Sequence, residues 1–124
     1  VELGCATRPE RVVNRAKRDT SDPAVHYGLI ASANNVMRDS KTRDALREKH
    51  GMLCFEMEAA GLMSNFPCLI IRGISDYSDS HKADDWQDYA AATASAFAKE
   101  FLETIPTFYI QQTPTAANSM RKRE

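Results

Sequence analysis

Long apolar runs are missing from this chain of 124 residues. The longest fall far short of the roughly 20 residues that a membrane-spanning helix needs. The opening eighteen residues carry too many charges for a secretory signal. The expectation is a soluble protein with no membrane partner, intracellular and in the cytoplasm. An excess of one charge is missing as well: 16 basic side chains stand against 17 acidic ones, a formal net charge of -1. No global field draws in nucleic acid, and none is expected as a partner. Cysteine is scarce. Cys5, Cys54 and Cys68 are an odd number without metal-ligand spacing, and two of them sit inside apolar runs. They read as reduced, buried thiols, with no metal site.

What is present suits one domain at most, since 43% hydrophobic and 27% charged residues are ordinary for a modest globular core. The first residue is Val rather than Met, which points to a chain that begins inside something longer.

Residues 1–24 hold Pro9, Pro23 and a dense mix of charges without sustained period, the pattern of an extended connector. Its basic cluster, Arg11, Arg15, Lys17 and Arg18, reads as a solvated face. Val25 to Ser32 has the β-branched and aromatic enrichment of a strand, with Gly28 placed for a close approach or a bulge. A turn over 33–39 leads to a short amphipathic helix, Ser40 to His50, with Ser40 as its N-cap and Gly51 as its stop. Met52 to Phe55 predicts a second strand, completing a βαβ unit.

Glu58 to Phe66 predicts the next helix, small on one side at Ala59, Ala60 and Gly61, and closed by Pro67. The continuous apolar run Cys68 to Ile74 then reads as a strand covered on both faces, with Arg72 the partner of a nearby carboxylate. After a polar loop, Asp84 is placed as an N-cap. Apolar residues recur at three or four through Trp86, Tyr89, Ala90, Thr93, Phe97, Phe101 and Ile105, predicting one long helix from Asp85 to Thr104. Residues 107–124 turn to Thr, Gln, Asn and Pro and then to charge, the composition of a linker or tail.

Four acidic or adjacent positions carry the chemistry. At a strand-to-helix junction only one of Glu56 and Glu58 is guaranteed to face a site, because residues two apart share a face on a strand but not on a helix. Glu58, in the first helical turn, has its ionised form favoured by the helix dipole. Its two acceptor oxygens suit the cis-diol of a sugar. Asp76 follows Ser75 past the carboxyl end of an apolar strand, where open α/β sheets bind ligands. Desolvation there is expected to raise its pKa and keep it protonated as a general acid. The plain alternative is that the glutamates cap a helix and that Ser75 and Asp76 make a turn. His81 and Lys82 fall in a loop placed to close over a ligand, with His81 facing solvent. His26 reads as a satisfied core histidine and Trp86 as helix packing.

FEMEAAG, followed by the run leading to RGISD, resembles the paired motifs of the nucleoside phosphorylase and nucleosidase superfamily, in order and spacing as well as in letters. With VHYGLIASANNVM, the wording resembles phosphorylase-like domains of fungal multidomain proteins that carry NACHT, ankyrin or tetratricopeptide modules. The resemblance covers about Arg11 to Thr104.

It implies an α/β fold, a Rossmann-like three-layer αβα sandwich, of which residues 25–106 are the carboxyl-terminal part. Glu58 becomes the carboxylate for the ribose diol, Met57 the side chain against the sugar, and Asp76 the acid at the purine N7. Glu56 and Ser75 join the pocket, and Val36 and Met37 lie against the base. Val36 stands where relatives often stack an aromatic, and Ala33 where they usually have glycine. The implied reaction cleaves an N-glycosidic bond through an oxocarbenium-like ribosyl cation, as a phosphorylase or an N-ribosyl hydrolase. No cofactor is implied, and phosphate is the co-substrate the resemblance allows. The implied partners are a small-molecule nucleoside, the amino-terminal half of the domain and further copies of the chain. Without that half, this segment is expected to be inactive and poorly soluble. The alternative function is a nucleoside-sensing module without turnover.

Overall fold

The computed structural model describes residue 10 and residues 14–65 and 68–121. Cys5, Arg11, Phe66, Pro67 and the last three residues of the tail lie outside the described residues. The element order is β1 (Leu29–Ser32), α1 (Ser40–His50), β2 (Met52–Glu56), α2 (Ala59–Met63), α3 (Gln87–Thr104), α4 (Thr107–Gln112) and α5 (Ala116–Arg121).

β1 and β2 pair in parallel, with Ile30 opposite Cys54, Ala31 opposite Phe55 and Ser32 opposite Glu56. With α1 between them they form the βαβ unit that the alternation of patterns predicts. β1 is shorter than the expected 25–32 for a reason of register: Leu29 already pairs with Met52, the first residue of β2, so earlier residues have no neighbour on that edge. Accordingly Val25, His26 and Tyr27 are exposed, and His26 is no core histidine. The ladder shifts between Leu29 and Ile30, directly after Gly28. A Cβ at position 28 would lie 2.6 Å from Leu53 Cδ1.

α1 has the expected bounds, but Asp39 rather than Ser40 caps it: its carboxylate accepts from the amides of Lys41 and Thr42. These bonds, the largest from the Thr42 hydroxyl, hold the Asp39 carboxyl below its usual range. Gly51 stops the helix at φ 68°, a conformation that costs a side chain with a Cβ more than it costs glycine. α2 ends at Met63 because Ser64 and Asn65 turn their side chains back on the helix, donating to the carbonyls of Ala60 and Gly61.

Cys68 to Ile74 does not form the expected strand: among the described residues the sheet has two strands. A continuous apolar run earns strand structure from a neighbouring ladder and two covering layers, and here Leu69 and Ile74 stay more than half exposed. The segment is held instead by Arg72, which bonds Glu58, and by Gly73, which lies against the backbone of α3 at Ala90.

α3 begins at Gln87, two residues after the expected start, because Asp84 closes a turn instead of capping the helix. Its carbonyl and carboxylate accept from the backbone and side-chain amides of Gln87. The stripe of α3 is buried at Ala90 and half-buried at Thr93, Phe97 and Phe101, whereas Trp86 and Tyr89 are exposed and pack edge to face, 5.8 Å apart. Residues of linker-like composition carry α4 and α5, with Phe108 and Tyr109 exposed. No helix among the described residues is long and apolar enough to cross a membrane.

Candidate active site

The carboxyl ends of the two parallel strands, Ser32 and Glu56, stand side by side and supply the groups that start α2. The first N–H groups of a helix have no intrahelical partner. Here Glu56 Oε2 accepts from the amides of Glu58 and Ala59, both at 2.8 Å, and Ser32 Oγ accepts from Ala60 at 3.0 Å. Glu56 is the one buried charged residue among those described, at 6% exposure. Burial opposes its charge, yet hydrogen bonds from the Ser32 hydroxyl and the two amides, with Arg72 nearby, outweigh burial and hold the carboxyl below its usual range. Its second oxygen, Oε1, is buried without a hydrogen-bond partner. An unpaired buried carboxylate oxygen is costly unless something arrives to donate to it.

Glu56 lines a cleft of about 100 Å³ together with Asn35, Val36, Met37, Phe55 and Met57, and with Arg72, Ser78 and Lys82 from the segment after α2. Four of the sequence-predicted residues, Glu56, Met57, Val36 and Met37, therefore meet in the lining of one cleft. Glu58, Ser75 and Asp76 do not line the cleft. Each of the two principal acids stands behind a cation that does: Arg72 Nη1 donates to Glu58 Oε2 at 3.0 Å, and Lys82 Nζ to Asp76 Oδ2 at 2.5 Å.

The ionisation of Asp76 is opposite to the expectation from sequence. Burial pushes its pKa up, as argued, but the Lys82 hydrogen bond, the Ser78 amide at 2.8 Å, the Lys82 charge and the Ser75 hydroxyl at 3.1 Å together bring it below the usual value. Asp76 is therefore a carboxylate at neutral pH, and not a protonated general acid. Ser75 bonds that carboxylate and not the cleft.

The loop carrying these groups is tied to α1. Arg43 donates to the Tyr77 carbonyl at 2.7 Å and lies 3.8 Å from Asp79. Arg15, from the connector, donates to the Tyr77 hydroxyl, with its guanidinium 4.3 Å from that ring's centre. Ser78 adopts φ 53°, a left-handed conformation uncommon for a residue with a side chain, and its amide binds Asp76 there.

Arg72 as a carboxylate partner is legible from its place beside an acidic motif. The pairing of Lys82 with Asp76 across six positions has only the opposite charges of the two residues as its signal, and Ser32 and Ser78 carry none.

The Phosphorylase superfamily model matches residues 4–105. A nucleotide-binding leucine-rich repeat (NLR)-like protein of Hyaloscypha variabilis is 50% identical over 99 residues, 80% of this chain and 10% of that protein. The ATP nucleosidase Cap17 of Escherichia coli is 35% identical over 85 residues, 64% of this chain and 17% of the relative. A 5'-methylthioadenosine/S-adenosylhomocysteine nucleosidase of Mycobacterium bovis is 25% identical over 89 residues, 68% of this chain and 35% of the enzyme. The chain thus spans between a tenth and about a third of the length of these relatives. No solved structure matches it. With the paired acidic motifs gathered about one cleft and the family model matching most of its length, the chain belongs to the phosphorylase superfamily, the nucleoside phosphorylases and nucleosidases.

Proposed function

We propose that this chain is part of a catalytic domain that cleaves the N-glycosidic bond of a purine nucleoside or nucleotide through an oxocarbenium-like ribosyl transition state. The observation that carries the proposal is Glu56 Oε1, a buried carboxylate oxygen without a partner on the wall of a cleft that also bears Met57, Arg72 and Lys82. A sugar hydroxyl supplies the donor that this oxygen lacks. The names of two relatives, an ATP nucleosidase and a methylthioadenosine/S-adenosylhomocysteine nucleosidase, support a substrate with an adenosine unit and water as the nucleophile. Phosphate is the alternative co-substrate, and no cofactor is invoked.

In this reaction Glu58 leaves Arg72 to take the ribose hydroxyls, with Met57 against the sugar and Val36 and Met37 against the base. The bond breaks with its electron pair on the base, whose ring nitrogen takes up a proton from the medium, while water adds to the anomeric carbon of the ribosyl cation and gives a proton back to the medium. The carboxylate of Asp76 accepts the hydrogen bond from that new N–H. Both acids thus act more strongly on the charge-separated transition state than on the ground state.

The cleft of about 100 Å³ is below the roughly 300–1,000 Å³ of small-molecule sites. A further wall from the amino-terminal half of the domain, completing a three-layer sandwich, supplies the remainder.

Incubating the intact protein with a nucleoside and nucleotide panel, with and without phosphate, tests the proposal. Base released without phosphate marks a nucleosidase, and base released only with phosphate a phosphorylase. Saturable binding with no base released marks a sensing module. That second reading is favoured by one arrangement: both acids are occupied by cations, and Val36, half exposed, offers the base no aromatic face.

A further inference from the structure

We propose that Lys82 is a positioning residue of this site, which fixes the Asp76 side chain behind the cleft and holds it as a carboxylate. The proposal rests on the reading of the cleft as a nucleoside site and adds to it a residue that no acidic motif contains.

Three observations place Lys82 in this role. Its ammonium nitrogen is 2.5 Å from Asp76 Oδ2, close even for a charge-assisted hydrogen bond. The Asp76 side chain is 10% exposed and that of Lys82 26% exposed, so water screens the pair weakly. Lys82 also lines the cleft, so any ligand that reaches Asp76 meets it.

The rest of the Asp76 shell is neutral: the Ser75 hydroxyl and the Ser78 amide. The other charges nearby are engaged elsewhere. Arg43 of α1 bonds Asp44 and the Tyr77 carbonyl and approaches Asp79, His81 lies 3.6 Å from Asp79, and Arg72 on the cleft wall bonds Glu58. Glu56, buried in the lining of the same cleft, supplies no positive charge. Removing the ammonium leaves a nearly buried carboxyl with two neutral donors, a setting that favours the protonated form. A protonated Asp76 loses the acceptor that the departing base requires.

The test compares the intact wild-type protein with Lys82→Met, Lys82→Gln and Lys82→Arg. The first readout is the carbon-13 titration of the Asp76 carboxyl, assigned by its loss in Asp76→Asn. The second is the pH profile of base release from adenosine and ATP. We expect the Asp76 midpoint to move to higher pH in Lys82→Met and Lys82→Gln and to return in Lys82→Arg. The acid limb of kcat should move with it, and kcat at pH 6 should fall about ten- to a hundredfold, with KM less affected. Melting curves identify which neutral variant is folded, and one suffices. An Asp76 midpoint unchanged in a folded neutral variant overturns the proposal. If that midpoint moves while wild-type protein releases no base from any substrate, Lys82 keeps its role and the catalytic reading of the cleft falls.

Discussion

Arg72 Nη1 lies 3.0 Å from Glu58 Oε2, and the arginine of this pair, not the glutamate, faces the cleft. The Glu58 side chain is 65% exposed, so the pair contributes at most about 1 kcal/mol to stability. Its variants therefore report on function. Glu58→Gln should leave the melting temperature nearly unchanged while lowering kcat/KM for a nucleoside about a hundredfold or more, the usual effect of losing a transition-state contact. Steady-state kinetics beside a melting curve check this, and equal turnover by Glu58→Gln removes Glu58 from the site.

Glu56 has a structural role beside its place in the cleft. Glu56→Ala removes the acceptor for two backbone amides at the start of α2, each at 2.8 Å. The expected loss is about 1.5–3 kcal/mol, the magnitude of a hydrogen bond to a charged group. Urea unfolding measures it. A stability equal to wild type would show that these amides are satisfied equally well without Glu56.

Acid should destabilise the protein through Glu56 and Asp76 together. Both have folded-state pKa values below their ordinary ones. Such groups bind protons less readily when folded, so the stability they contribute is fully present above the ordinary carboxylate values, near about 4. It is lost as pH falls through the lower folded values. Urea midpoints should therefore be flat from pH 7 to 5 and decline below that, less steeply in Asp76→Asn, where one of the two groups no longer titrates. An identical decline in that variant counts against the ion pair with Lys82.

Two glycines are predicted to resist alanine for different reasons. At position 73 a Cβ would stand 2.0 Å from the Ala90 carbonyl oxygen, which is backbone and cannot rotate away. Gly73→Ala should cost about 1–3 kcal/mol, as overpacking does. At Gly51 nothing lies within 4 Å and the cost is conformational, at φ 68°. About 1 kcal/mol is expected there. Thermal unfolding ranks the two, and a Gly73→Ala protein as stable as wild type would mean that α3 moves away from this segment readily.

Local chemistry made part of the fold legible. α1 could be placed to the residue because its stop is Gly51 and its start is a cluster of capping side chains, and only the identity of the cap, Asp39 and not Ser40, differed. The strand expected over 68–74 does not form, because an apolar run states a need for cover and not whether cover is supplied. At the site, Glu56, Met57, Val36 and Met37 follow from the resemblance of their motifs to the phosphorylase superfamily, and the four line one cleft. The direction of the Asp76 shift differs from the expectation, lowered and not raised. Burial at a strand end is visible in a sequence, but a loop that folds the Ser78 amide and the Lys82 ammonium back onto the carboxyl is not. Gly73 is illegible in the sequence for a similar reason: its role is an approach to Ala90, seventeen positions later.

That approach also has a mechanical side. Arg72 immediately precedes Gly73, and Asp76 follows three residues after it, so the partner of one acid and the other acid itself are both strung to the same point of support. From Ala90 to its end at Thr104, α3 runs about 21 Å as a stiff rod. A side chain added at position 73 would therefore press at one place on the segment that carries both Arg72 and Asp76.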